Sequence, residues 1–263
     1  MKDILIVSLL FYNEDIIRKH IDFLLTVSDR ADIIFIENRS EISNTIKKIC
    51  IDLIKLRKVL RYYLFDENVY NKALEEYIYN NENEISRYKY VIVTDGDLSC
   101  SDPNWLQEEL DILNKYNNTF CCVTDLVMDN LPVKSHPASV GWVPSPRNIG
   151  EDYIEGLSGI HLAMFRTNEF IDLINYLKSN GFIFVDIRLH EYADRHIHKK
   201  WMKTKIAKAY HYTWDTYQDL QSYYSIKKIH ILNNMHEVDK KCSYTLFYLD
   251  DFDMLIEKIG EIK

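Results

Sequence analysis

The sequence predicts an α/β protein, a mainly parallel sheet with helices on both faces. Three observations carry this. Apolar runs alternate with amphipathic helical patterns from Ile4 to about Thr124, the rhythm of β-α-β units. The first run, Ile4–Leu10, is continuously apolar and rich in β-branched residues, as a strand covered on both faces must be. Polar residues then cluster at the carboxyl ends of the runs, where such sheets open their ligand crevice.

After Ile4–Leu10, Asn13 and Glu14 open a helix with Ile17, Ile21, Leu24 and Leu25 on one face. Asp32–Ile36 reads as the second strand, with Glu37-Asn38-Arg39-Ser40 at its end, and a helix spans about Ser43–Lys55. Val59–Phe65 is a third strand, Asn71–Tyr79 a helix, and Tyr90–Thr94 a fourth strand ending in Asp95-Gly96-Asp97. Trp105–Tyr116 repeats Leu106, Leu110 and Leu113 at near-helical spacing, and Phe120–Thr124 reads as a fifth strand. From Met128 to Gly156 the pattern breaks, and a long irregular segment of this kind suits a binding loop or lid. Beyond it lie a strand-like Gly159–Arg166, a helix near Asn168–Ser179 and an amphipathic stretch around Asp186–His198.

The 263 residues are 47% hydrophobic and 27% charged, enough for a sizeable core and unlike a disordered chain. Glycine (7) and proline (5) are scarce, and five glycines and all the prolines fall between Gly96 and Gly159. No glycine precedes Lys-Ser/Thr and no G-x-G-x-x-G occurs, so neither common phosphate cradle is available. Any phosphate must be held in another way, most simply through a metal. The net charge of −8 disfavours a nucleic-acid binder, and the basic stretch Lys199–Lys208 reads as a solvated rim. No apolar run is long enough for a transmembrane segment, and the N-terminal residues do not resemble a secretory signal. Five cysteines without a C-x-x-C pair give neither a disulfide framework nor a zinc site, which points to a reducing, cytoplasmic setting.

Val91–Thr94 runs into Asp95-Gly96-Asp97. On an extended chain residues two apart point the same way, so both carboxylates can reach one Mn²⁺ or Mg²⁺, while Gly96 admits a phosphate close to the backbone. Such cations take carboxylate oxygens and complete their shell with substrate phosphates. An EF-hand starting at Asp95 fails, because Cys100 occupies the position that needs glycine.

Taken in order, Ile4–Glu14, Asp32–Ser40 and the strand into Asp95-Gly96-Asp97 resemble the nucleotide-sugar half of GT-A fold glycosyltransferases, family-two-like members in particular. The similarity spans about Ile4–Asp215. It implies a GT-A-like, Rossmann-type catalytic domain over residues 1–215, with a nucleotide-sugar half (1–127) and a lid and acceptor half (128–215). Residues 216–263 form a helical or irregular extension packed on the same domain.

The resemblance also implies roles. Leu9 and Phe11 at the first strand end, with Glu37 and Asn38 at the second, would contact the donor's nucleoside, and Lys72 is a weaker match for a basic donor contact. Asp95 and Gly96 would meet the diphosphate, and Asp95, Asp97 and His211 would hold the metal. Gly159 and His161 belong to the strand lining the donor-sugar side. Asp186 stands where inverting members carry their base, although Val185 replaces the usual glutamate before it; Glu191 is the reserve. Asp186 could instead cap the helix it begins, and His211 could be a core histidine. Trp142 and Trp214 read as core more readily than as sugar platforms.

The implied activity is that of a metal-dependent hexosyltransferase of polysaccharide or glycoconjugate synthesis. It would move a sugar from a nucleoside diphosphate, UDP favoured, to a hydroxyl of a glycan or lipid-linked acceptor, with inversion. Two alternatives stay open: a haloacid-dehalogenase-like phosphatase with Asp95 as nucleophile, Lys205 and Asp250-Asp251 completing it, and a non-catalytic module binding a glycan or partner. A sugar nucleotidyltransferase fits less well without a glycine-rich N-terminal loop. Tyr223, Tyr224, Lys227 and Lys228 could give peripheral contact with a membrane surface, against the simpler reading of a solvated helix.

Overall fold

The computed structural model describes residues 2–227 and 242–261. Ile4–Leu10 forms β1, parallel to β2 (Ala31–Glu37) on one side and β4 (Tyr90–Asp95) on the other; β3 (Arg61–Phe65) extends β2 in parallel. The register sets Leu9 between Ile36 and Asp95. Antiparallel pairings flank this parallel centre. β9 (Ala163–Arg166) lies between β4 and β6 (Thr119–Leu126), and β10 (Lys200–His211) runs parallel to β6. β5 (Leu98–Cys100) and the hairpin β7 (Asn148–Ile149) and β8 (Tyr153–Glu155) attach at β10.

Successive strand residues point to opposite faces, and the core divides accordingly. Ile4, Ile6 and Ile33 pack with Ile17 of α1 (Glu14–Leu25), Ile46 of α2 (Ser43–Lys55) and Leu106 of α5 (Trp105–Lys115). Leu5, Val7 and Ile34 pack with Leu74 of α3 (Lys72–Asn80) and Phe170 of α6 (Thr167–Ser179). The short α4 (Glu82–Ile85) follows α3. Asn13 caps α1, its side-chain oxygen accepting the Ile16 N–H at 3.1 Å, which satisfies one of the orphan donors of the first turn. The expected α/β sheet with helices on both faces is therefore present.

Three regions differ from expectation. The basic stretch Lys199–Lys208 is no solvated rim, since most of it is strand β10, with Lys203 buried in an ion pair to Asp125 at 2.8 Å. Its charges hid the strand because Lys205–Ala207 bulge out between the paired residues Lys203 and Lys208. The Glu108 carboxylate accepts all three bulge N–H groups at 2.7–2.9 Å. The segment 128–156 is only partly irregular, containing a 3₁₀ turn (Pro137–Trp142) and the β7–β8 hairpin.

The C-terminal part has the expected helix, α8 (Leu220–Lys227), but also a hairpin of β11 (Ser243–Leu249) and β12 (Leu255–Glu261). β11 pairs antiparallel with β3, and Phe247 stacks on Tyr62, so the extension completes the sheet. Tyr223 packs against Trp142 and Tyr217, whereas Tyr224 is exposed; Lys228 lies outside the described residues. No helix among the described residues is long and apolar enough to cross a membrane.

Candidate active site

A cavity of about 240 Å³ opens at the carboxyl ends of β1, β2 and β4. This is the point where the chain departs to opposite sides of β1, the usual ligand crevice of an open α/β sheet. Leu9, Phe11, Asn38, Asp95, Gly96, Asp97, Asp186 and His211 all line it, from five separate stretches of chain. Its charged lining consists of Asp95, Asp97 and Asp186 with His211, and no lysine or arginine side chain lines it among the described residues.

Asp95 ends β4 and is exposed to the cavity, while Gly96 and Asp97 turn the chain into β5. Because the chain turns here, Asp97 converges on His211. β5 pairs with the end of β10, the Tyr212 N–H donates to the Asp97 carbonyl at 2.9 Å, and Asp97 Oδ2 stands 3.4 Å from His211 Nδ1. Adjacent ligands of an octahedral ion with bonds of about 2.1 Å lie roughly 3 Å apart. A carboxylate oxygen and an imidazole nitrogen at this spacing, at the cavity wall beside Asp95, fit Mn²⁺ or Mg²⁺; Nδ1 of His211 and Oδ1 of Asp97 are buried and have no hydrogen-bond partner among the described residues. No three His, Cys, Asp or Glu side chains close on one point among the described residues. The protein thus offers a partial shell, of the kind substrate phosphates complete.

Gly96 also has a structural reason to be glycine. A Cβ there would lie 2.8 Å from the Leu9 carbonyl and 2.9 Å from Leu10 Cδ2, so glycine is demanded by the approach to β1. Gly159 is similar: a Cβ would lie 3.0 Å from His161 Nδ1 and 3.4 Å from Asp186 Oδ2. The bare backbone lets the Asp186 carboxylate and the His161 ring share one corner.

Asp186 begins α7 (Asp186–Glu191) without capping it; Oδ1 accepts the Ile160 N–H at 3.3 Å. Enclosure by protein around the cavity raises its carboxyl above the usual range, opposed by the charge of His190. Tyr70 lines the same cavity. Its phenol is raised first by burial and then by the charges of Asp95 and Asp186.

The remaining candidate residues are engaged in other ways. Glu191 ion-pairs with Arg188 at 2.7 Å and is not in the cavity lining; five residues along a helix place it about 140° round from Asp186. Glu37 is buried, accepting hydrogen bonds from Ser43 and Tyr62 at 2.5 Å each, and burial pushes its carboxyl up to about 7. Asn38 lines the cavity, but both ends of its amide hold the neighbouring loop, accepting from Val69 N–H and donating to the Tyr70 carbonyl. Lys72 is absent from the lining, where Asn71 and Leu74 share one helix face. His161 lies beneath the floor, 3.2 Å from the Ser158 hydroxyl, and burial and then the nearby His211 hold its imidazole down to about 3. No residue of 128–156 lines the cavity among the described residues. That segment reaches the site through Asn130, which donates to the His211 carbonyl at 2.9 Å.

Sequence reasoning missed His20. Its Nδ1–H donates to the Leu98 carbonyl at 2.6 Å and Nε2 accepts from the Ser8 hydroxyl at 2.8 Å. Burial holds the ring down to about 4, so it is neutral and braces the turn that carries Asp97. The signal was its place on the apolar face of α1, between Ile17 and Leu24.

The phosphatase alternative finds little here. Asp95 ends the fourth strand in chain order, and Lys205 Nζ donates to the carbonyls of Gly150 and Glu151. Because β11 is antiparallel to β3, Asp250 and Asp251 lie at the other end of the sheet from the cavity.

No protein-family model matches the chain. It is 40% identical over 252 residues, 93% of its length, to uncharacterized protein L138 of Acanthamoeba polyphaga mimivirus. It is 37% identical over 246 residues, 91% of its length, to uncharacterized protein L137 of the same virus. It spans only 28% and 33% of those two proteins.

Among solved structures, the chain is similar to S. aureus TarS 1–349 in complex with UDP-GlcNAc, with TM-score 0.50 and 12% identity over 80% of this chain and 58% of that one. It is also similar to the mannosyltransferase PcManGT from Pyrobaculum calidifontis in complex with GDP-Man and Mn²⁺. There the TM-score is 0.52 and the identity 11%, over 80% of this chain and 56% of that one. GalNAc-T7 with UDP, GalNAc and Mn²⁺ matches with TM-score 0.51 and 10% identity, over 79% and 42% of the two chains. Likeness at this identity speaks to fold, and the fold is the GT-A-like α/β architecture.

Proposed function

We propose that this chain is the catalytic domain of a metal-dependent glycosyltransferase that transfers a sugar from a nucleoside diphosphate to an acceptor hydroxyl. The observation that carries the reading is the charge of the cavity: three aspartates and a histidine, with no lysine or arginine lining it among the described residues. A diphosphate entering alone would meet like charge, and a divalent cation reverses that balance. Asp97 and His211 would hold it, with Asp95 beside them. When bound, the cation supplies electrostatic stabilisation of the departing diphosphate. The fold neighbours bound to UDP-GlcNAc, GDP-Man or UDP support a nucleotide-sugar donor without choosing the base; UDP remains our preference.

Asp186 lies across the same cavity with a carboxyl above its ordinary range, which suits a group that takes the acceptor's proton as its oxygen attacks the anomeric carbon, with inversion. Phe11 and Leu9 wall the nucleoside side. Glu37, Glu191, Lys72 and His161 act at most indirectly, through packing and loop position. We place the acceptor among glycans or lipid-linked saccharides, and the protein in the cytoplasm or at its membrane surface. The five cysteines, all buried free thiols, are compatible with a reducing compartment.

The test is transfer from a panel of nucleoside-diphosphate sugars with Mn²⁺ present. Asp186→Asn should lower turnover about 10²–10⁴-fold and leave Mn²⁺-dependent donor binding intact. Asp97→Ala should abolish both. Unchanged turnover in both variants would remove the assignment.

A further inference from the structure

We propose that Trp214 is a positioning residue for His211, fixing the imidazole as a metal-facing ligand by stacking. The inference rests on the metal-binding reading above. Metal-bound histidines are ordinarily oriented by a hydrogen bond from their second ring nitrogen to a carboxylate or carbonyl. His211 is supported by a flat aromatic face as well. Its ring lies 4.7 Å from the Trp214 ring with an interplanar angle of 7°, and Nδ1, aimed at Asp97 Oδ2, makes no hydrogen bond among the described residues.

Trp214 is itself immobilised. It is 6% exposed, sits in the 3₁₀ turn Tyr212–Thr216, and lies 6.4 Å from Trp142. The backbone beneath the histidine is held from two sides. Asn130 Nδ2 donates to the His211 carbonyl at 2.9 Å and to Asp215 Oδ1 at 3.1 Å, and Tyr210 Oη donates to the Asp215 carboxylate at 2.9 Å. The flat indole face leaves the imidazole one plane to occupy, and the pinned backbone sets where in that plane Nδ1 falls. Rotation of the ring about its Cβ–Cγ bond by anything short of a half-turn would break the parallel contact and carry Nδ1 away from Asp97. The tryptophan therefore spends its aromatic surface on orientation and touches neither donor nor acceptor.

The experiment is Mn²⁺ binding, read by the loss of the free-ion EPR signal, on the full chain with native circular dichroism confirmed for each variant. Trp214→Leu keeps an apolar side chain but removes the flat face, and should weaken Mn²⁺ about 10- to 100-fold, the cost typical of losing a ligand-orienting contact. Trp214→Phe restores a stacking ring and should bind close to wild type; His211→Ala and Asp97→Ala should show the full loss. If wild type binds Mn²⁺ and Trp214→Leu, folded, binds it equally well, the positioning role is overturned and the metal reading stands. If wild type binds no Mn²⁺, the metal reading falls and this inference with it.

Should Trp214→Leu fail to fold, paramagnetic quenching decides. Mn²⁺ should quench a component of tryptophan fluorescence in wild type that is missing in Trp214→Phe. Identical quenching in the two proteins overturns the proposal.

Discussion

At the residue scale the site depends on places where a side chain is forbidden or buried at a cost. Gly96→Ala would push a methyl into the Leu9 carbonyl at 2.8 Å, a backbone atom that cannot swing aside. We expect a loss of about 1–3 kcal/mol in urea denaturation, the range for overpacking, with weakened Mn²⁺ binding as the Asp97 turn shifts. Buried titratable groups predict a pH signature. His20 is held at about 4 in the fold against an unfolded value near 6.5. The unfolded chain therefore binds the extra proton as pH falls, and about 3 kcal/mol is lost between pH 7 and 4. Glu37 has the opposite sign. Raised to about 7 from an unfolded value near 4.5, it costs up to about 3 kcal/mol as pH rises through that window. Denaturant melts from pH 4 to 7 should show Glu37→Gln with a steeper rise of stability with pH than wild type, and His20→Gln with a shallower one. Parallel curves for all three proteins would contradict the burial argument.

At the element scale, legibility in the sequence followed burial symmetry. β1, β2 and β4 are covered on both faces, so their apolar runs stood out, and α2 spans the Ser43–Lys55 of the sequence reading. β10 was hidden because its lysines are neutralised by tertiary partners that sequence spacing does not reveal: Asp125 for Lys203, and Glu108 for the bulge backbone. The hairpin β11–β12 was hidden because its inward residues, such as Phe247, depend on β3, far away in the chain.

The Lys203–Asp125 pair offers a test at this scale. Asp125→Ala removes the carboxylate paired with the buried Lys203 ammonium and should cost about 3–5 kcal/mol. Asp125→Leu with Lys203→Met should recover most of that, as apolar replacement of a buried pair commonly does. A double variant as unstable as the single one, by urea denaturation, would show that the pair contributes more than charge balance.

At the scale of the whole molecule, the topology gathers chemistry from distant parts of the chain. The order β3-β2-β1-β4 opens the crevice, the β5–β10 pairing carries His211 to Asp97, and the loop before β9 brings Gly159 against Asp186. The D-x-D signal was legible because both its acids sit at one strand end. The convergence of His211 on Asp97 was legible only through the family resemblance and not from spacing, since it depends on a three-residue strand. Nor was the diversion of Glu37 and Asn38 into structural bonds, because nothing in Glu37-Asn38 separates a side chain turned to ligand from one turned to Tyr62 or Val69.

A cavity lined by three aspartates and a histidine, with no lysine or arginine lining it among the described residues, should bind a nucleoside diphosphate only through a cation. Isothermal titration calorimetry with UDP and GDP tests it most directly, run with Mn²⁺ and again with a chelator. The account predicts binding of at least one of them with Mn²⁺, none with the chelator, and none in Asp97→Ala under either condition. Binding of equal strength with the chelator present would contradict it.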